Sequence, residues 1–213
     1  MKTGPEDTKG WKYALIKNAI FDMGNVMSIY DPESYLNGFV DRPEIVQAVL
    51  RELFGGPEWK MLDAGSITEK EAVTRVKARI PQYAAEVSFA MKNWHCMLTV
   101  MPGMTDIVSD LKEKGLKIYL LSNTSLRFYR YYKNVEVFRL FDGFIISAKE
   151  KLVKPDPAIF RRACERFRLL PEECLFVDDM RENINSAGGI GMIGHRFAGA
   201  EELRTYLKSK HIL

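Results

Sequence analysis

The 213-residue chain has little cysteine, little net charge and no long apolar run, and each shortage removes a class of answer. Its three cysteines, Cys96, Cys164 and Cys174, are odd in number and none stands at C-x-x-C spacing. That favours a reducing compartment and no structural metal site. A net charge of +3, with lysines and arginines spread along the chain, supplies no basic patch for nucleic acid. No apolar stretch approaches the roughly 20 residues that cross a bilayer, so no membrane partner is expected. Met1 to Lys12 lack the apolar core of a signal peptide, which makes cytoplasmic the expected location. Residues 1–14 read as a polar N-terminal tail. With 46% hydrophobic residues, the remainder can bury a sizeable core without disulfides.

Five short apolar runs read as buried strands: Ile16 to Phe21, Lys117 to Leu121, Phe144 to Ser147, Leu175 to Val177 and Met192 to His195. Helical patterns lie between them at Thr105 to Lys114, Pro157 to Phe167 and Arg181 to Ala187, with Gly115 placed as a C-terminal glycine. This alternation predicts an α/β fold with a parallel sheet covered on both faces. From about Pro32 to Leu98 the pattern is helical only: Glu44 to Phe54, Glu58 to Ala64, Thr68 to Arg79 and Ala84 to Met97. Thr68 and Glu71 have the spacing of a capping box. The expected division is a core of residues 15–31 and 99–213 with a helical cap, residues 32–98, inserted over the carboxyl edge of the sheet.

Ligands bind at the carboxyl ends of strands in open parallel sheets. Three predicted strands end there in polar residues: Asp22, Ser122-Asn123-Thr124 and Asp178-Asp179. A carboxylate at Asp22 can act as a nucleophile if a cation screens its repulsion from an anionic substrate, and it can equally cap a turn. Adjacent carboxylates at a buried strand end call for a compensating cation, and an all-oxygen site suits Mg²⁺; an acidic helix start is the plainer reading. Ser122 and the backbone N–H groups after it could hold a phosphoryl oxygen. Lys154, held extended by Pro155, could offset the charge of nucleophile and phosphate, or lie on the surface. Tyr30, Trp59, Trp94 and His95 could line a pocket or belong to the core.

Taken in order, these segments resemble the four motifs of the haloacid dehalogenase superfamily. Phe21-Asp22-Met23-Gly24-Asn25-Val26 is similar to the first, Leu121-Ser122-Asn123-Thr124 to the second, Lys154-Pro155-Asp156 to the third and Phe176-Val177-Asp178-Asp179 to the fourth. Within the superfamily the chain is most similar to bacterial sugar-phosphate phosphatases of the α-D-glucose-1-phosphate phosphatase type and to the phosphatase domain of soluble epoxide hydrolases. The resemblance implies a Rossmann-like, doubly wound core with a four-helix-type cap, and Mg²⁺-dependent hydrolysis of a small phosphorylated metabolite, a sugar phosphate among the candidates. It implies that Asp22 attacks phosphorus to form an aspartyl-phosphate. Mg²⁺ would be held by Asp22, the Gly24 backbone carbonyl, Asp179 and waters, with Asp178 orienting those waters and Asn183 supporting them. Ser122, helped by the Asn123 backbone, would bind the phosphoryl group, and Lys154 would stabilise its charge.

One position departs from the pattern. Phosphatases of the superfamily carry an acid/base aspartate two residues after the nucleophile, and here that residue is Gly24. Asp31 could substitute if the intervening turn folds back; otherwise it is a loop residue introducing Pro32. The departure leaves two alternatives open. One is phosphonate hydrolysis, which needs a cap lysine such as Lys60, Lys70 or Lys77. The other is a non-catalytic protein that binds a phosphorylated metabolite.

Overall fold

The computed structural model describes residues 16–213, so the expected tail, residues 1–14, lies outside the described residues. From β1 (Asn18–Phe21) the chain enters a loop and β2 (Ser28–Ile29). A helical block follows: α1 (Pro32–Asn37), α2 (Pro43–Val49), α3 (Pro57–Asp63), α4 (Glu69–Arg79) and α5 (Ala84–Asn93). It returns through β3 (Thr99–Val100), then α6 (Met104–Glu113), β4 (Lys117–Ser122), α7 (Phe128–Tyr131), β5 (Gly143–Ile146) and α8 (Ser147–Glu150). The last elements are α9 (Pro157–Phe167), β6 (Cys174–Asp178), α10 (Arg181–Gly189), β7 (Ile193–Arg196) and α11 (Ala200–Ser209).

The sheet runs β5-β4-β1-β6-β7, and every neighbour is parallel. Side chains alternate across it. Ala19 and Phe21 pack on one face with Ile107, Leu111 and Leu203, from α6 and α11, while Ile20 packs on the other with Ile159 and Phe160 of α9. Phe21, Phe160 and Phe176 are among the largest fully buried side chains, each worth roughly 1.5–3 kcal/mol in burial. A doubly wound α/β core follows from these two apolar faces.

Register brings the polar strand ends together. Phe21 pairs with both Leu120 and Val177, so the next residues along the chains, Asp22, Leu121 and Asp178, stand at one edge. The Asp22 N–H continues the ladder to the Val177 carbonyl at 2.9 Å.

The helical block leaves and re-enters through a two-stranded antiparallel ribbon, with Ser28 opposite Val100 and Ile29 opposite Thr99. The sequence pattern did not reveal this ribbon, because two-residue strands carry no period. It also missed α1, which buries only Leu36, and α11, whose buried apolar residues are Leu203 and Leu207 alone. The stretch Glu44 to Phe54 is helical but changes to a π-helical turn over Leu50–Phe54, and Ala84 to Met97 tightens to a 3₁₀ turn from Trp94. The capping box forms as expected. Thr68 Oγ1 accepts from the Glu71 N–H at 3.2 Å, and the Glu71 carboxylate accepts from the Thr68 N–H at 2.7 Å.

Three clasps fasten the block to itself and to the core. Arg79 of α4 forks onto the buried Glu58 of α3 at 2.7 and 2.8 Å. Arg127, just before α7, binds Glu69 of α4 at 2.6 Å and the Lys92 carbonyl of α5 at 2.8 Å. Ser147, fully buried at the start of α8, accepts from the Thr124 N–H at 2.9 Å and donates to the Asp63 carbonyl at 2.6 Å.

Candidate active site

The sheet's carboxyl edge forms the floor of a cavity of about 380 Å³, and the helical block forms its roof. Asp22, Gly24, Ser122, Asn123 and Lys154 line the floor, with Asn183 beside them. Register brings Asp22 and Asp178 to this edge, and the segment before α9 brings Lys154. The Lys154 side chain is 2% exposed, and its Nζ lies 2.7 Å from Asp22 Oδ1 and 2.7 Å from Asp178 Oδ2. It is therefore no surface lysine. Asn123 accounts for its position: the Lys154 N–H donates to Asn123 Oδ1 at 2.8 Å, and Asn123 Nδ2 donates to the Lys154 carbonyl at 2.9 Å. Sequence reading credited Asn123 with its backbone only. An amide between a serine and a threonine carries no signal of that side-chain role.

Asp178 is completely buried and its carboxylate is saturated by protein donors. Besides Lys154, the Met180 N–H donates to Oδ1 at 2.8 Å, and Asn183 Nδ2 reaches both oxygens at 2.9 and 3.0 Å. Asp22, Asp178 and Asp179 each offer an oxygen within 4.8 Å of the others. Three carboxylates around one ammonium leave uncompensated negative charge, and the donor set is wholly oxygen, so a hard divalent cation fits it. The charges register the same imbalance. Burial raises the Asp22 carboxyl above the usual range; Lys154 opposes this and Asp178 adds to it. Burial and then Asp178 likewise raise Asp179. For Lys154, burial alone would lower the ammonium, but Asp22 and Asp178 more than offset it and hold it above its ordinary value.

The cavity roof comes from the helical block and its flanks. Tyr30, Phe54, Trp59, Trp94 and Leu98 line it, so three of the four expected pocket aromatics are present. His95 is not; its ring stacks on Tyr131 with centroids 5.5 Å apart. Asp31 does not reach the site either. It is exposed and caps α1, accepting from the Ser34 N–H at 3.0 Å and from Ser34 Oγ at 2.6 Å, because Pro32 opens a helix whose free N–H groups need a side-chain acceptor. Of the three cap lysines, Lys60 lines the cavity but is exposed, without the desolvation that a nucleophilic lysine uses. Lys70 faces a separate cavity beside Arg127 and Lys151. The residue that sequence reading missed is Asp63, the last of α3, which lines the same cavity as Asp22. A lone acid at a helix end, distant in sequence from every motif, gave no warning of it.

A profile of haloacid dehalogenase-like hydrolases matches residues 16–191. Sesquiterpene phosphatase astK of Aspergillus oryzae is 26% identical over 179 residues, which are 84% of this chain and 88% of that protein. Acyl-CoA dehydrogenase family member 10 of Mus musculus is 29% identical over 189 residues, 81% of this chain but only 17% of that protein. Drimenol cyclase drtB of Aspergillus calidoustus is 24% identical, over 91% of this chain and 36% of that protein. The chain thus spans little more than a third of the cyclase and less than a fifth of the mouse protein. Among solved structures, a haloacid dehalogenase-family enzyme of Bacteroides thetaiotaomicron in complex with magnesium and inorganic phosphate shares the fold. Its TM-score is 0.65 at 24% identity, covering 86% of this chain and 95% of that one.

Proposed function

The chain belongs to the haloacid dehalogenase-like hydrolases, and from that premise we propose that it is a magnesium-dependent phosphatase of a small phosphorylated metabolite. The observation that carries this reading is Lys154 bridging Asp22 and Asp178 on the cavity floor, with Asp179 alongside. Asp22 is the nucleophile and forms the aspartyl-phosphate; Lys154 keeps it ionised and offsets the charge of the phosphoryl group. Ser122 and the Asn123 backbone bind the phosphoryl oxygens. Asp22, the Gly24 carbonyl and Asp179 would hold Mg²⁺, which supplies charge neutralisation between nucleophile and phosphate when bound. Both Asp178 oxygens are already taken by protein donors, which supports a positioning role for it and for Asn183. Residues 32–98 act as the cap on a core of residues 15–31 and 99–213.

The metal assignment has a readout besides turnover. Mg²⁺ at a hundred times its dissociation constant should stabilise the protein by about 2.7 kcal/mol, a rise in Tm of about 5–10 °C for a chain of this size. Asp179→Ala should erase most of that increment and Asp178→Ala should retain it, though the latter starts from a less stable protein. Phosphate release from an aryl phosphate should require Mg²⁺ and stop in EDTA. Equal loss of the thermal increment in both variants, or turnover in thorough chelator, contradicts the assignment.

The alcohol half of the substrate has a second reading. A sugar phosphate is among the expected candidates, yet the roof side chains Tyr30, Phe54, Trp59, Trp94 and Leu98 offer mostly ring and isobutyl surface, with few polar groups beside them. That lining suits the phosphate ester of an apolar alcohol, in keeping with the terpene named for the Aspergillus oryzae relative. An isoprenoid monophosphate should therefore exceed glucose 1-phosphate in kcat/KM by at least about tenfold, the scale of one or two buried methylenes. A preference for the sugar ester restores the first expectation.

A further inference from the structure

The cavity holds five ionisable side chains: Asp22, Tyr30, Lys60, Asp63 and Lys154. Asp22 and Lys154 are paired at 2.7 Å. Burial and then Asp63 push the Tyr30 phenol well above its ordinary range, so it does not give up its proton readily. Lys60 is exposed. Asp63 is left, and it is held in place with unusual care. Its carbonyl takes the Ser147 hydroxyl at 2.6 Å, and the same hydroxyl accepts from the Thr124 N–H, two residues beyond Ser122. Two residues on, Gly65 has φ +62° and lies so close to α8 that a Cβ there would stand 2.2 Å from the Ala148 carbonyl oxygen. Lys151 Nζ binds the Gly65 carbonyl. The end of α3 is thus clamped through its backbone to the core element that follows β5, which holds Asp63 at the cavity that Asp22 also lines.

We propose that Asp63 is the general acid and base of this enzyme, doing from the helical insert what Gly24 cannot do from the loop after β1. The proposal rests on the phosphatase reading above. In the first half-reaction an Asp22 carboxylate oxygen bonds to phosphorus and the bond from phosphorus to the ester oxygen breaks. That oxygen takes the Asp63 proton and leaves as the alcohol. In the second, the Asp63 carboxylate takes a proton from water while the water oxygen bonds to phosphorus. The bond from phosphorus to Asp22 breaks, phosphate leaves, and both carboxyl groups return to their starting forms. Burial, with the Asp22 charge, lifts Asp63 to about 7, where one group can give and take a proton in turn.

The test is the dependence of kcat/KM on leaving-group acidity, measured with saturating Mg²⁺ across aryl and alkyl phosphates. Wild type should show a shallow dependence. Asp63→Asn, which keeps the Ser147 contact because that contact is to the backbone, should lose about 10²–10⁴-fold on alkyl phosphates. It should lose far less on p-nitrophenyl phosphate, whose leaving group needs little protonation. Gly24→Asp in the Asp63→Asn background should recover part of the alkyl rate. A Cβ at Gly24 meets nothing closer than Tyr30 Cβ at 4.0 Å. A uniform loss across the series, or none, overturns the assignment of Asp63 while leaving the phosphatase reading standing. No turnover of any ester by folded wild type removes that reading and this proposal with it. Should Asp63→Asn fail to fold, wild type decides alone: a steep dependence means that no residue donates the proton.

Discussion

Replacing Asp22 by asparagine should reduce phosphate release on the order of 10⁴-fold or more, the scale on which losses of a catalytic nucleophile run. The amide has the size of the carboxylate but no anionic oxygen to bond to phosphorus. The fold should be unaffected, because Asp22 contributes to the sheet through its N–H to the Val177 carbonyl, which the substitution keeps. Lys154 also keeps Asp178 at 2.7 Å, so its buried ammonium retains a counter-charge. The measurement is steady-state turnover with Mg²⁺ saturating, beside a thermal melt of both proteins. A variant that retains more than about one per cent of wild-type turnover with an unchanged melt would refute Asp22 as nucleophile. The residues on the cavity floor would then need another division of labour.

Asp22 is readable in the sequence because a buried parallel strand is a continuous apolar run, and an aspartate that ends one is conspicuous. Ser122 and Asp178 announce themselves in the same way, and register alone carries all three strands to one edge. Lys154 was less legible. A lysine before a proline says nothing of burial, and only its order among the other motifs singled it out. Ser147 and Asp63 were not legible, since their roles exist only once the helical block has docked. Nor was Asn123, because its side chain is spent on the backbone of Lys154, far along the chain. Ser147 reads as a strand end until its hydroxyl is seen joining Thr124 to Asp63. Asp31 shows the converse. It could reach Asp22 only if the turn folded back, and the other reading, a loop residue introducing Pro32, is the one found, because the demand of α1 for a capping acceptor turns it to solvent. The absence of an acid at position 24 is visible in the sequence, whereas the presence of Asp63 in the cavity depends on how a distant helix end packs.

Lys154→Met tests the floor of the site as a piece of structure as well as of chemistry. The methionine fills similar volume but leaves Asp22 and the completely buried Asp178 without their shared ammonium. Removing one partner of a buried ion pair typically costs about 3–5 kcal/mol, and the variant should lose stability on that scale near pH 8. The pH dependence has a definite sign. Asp22 already binds its proton more tightly in the folded protein than in the unfolded chain, and without Lys154 it should bind it more tightly still. A carboxyl raised in this way stabilises the fold fully below its unfolded value and ceases to do so as pH rises through its folded value. The gap between variant and wild type should therefore be widest at pH 8 and narrow as the pH falls toward 4, where the stranded Asp22 carboxylate takes up its proton. Mg²⁺ should close part of the gap at high pH by supplying the missing positive charge. Turnover should fall by about 10²–10³-fold, as when one preorganised electrostatic partner of the transition state is removed. Urea melts of both proteins at pH 5 and pH 8, with and without Mg²⁺, decide the matter. A gap that is constant with pH would show that Lys154 stabilises the fold by packing rather than by its charge, and the account of the floor as three carboxylates around one ammonium would fail.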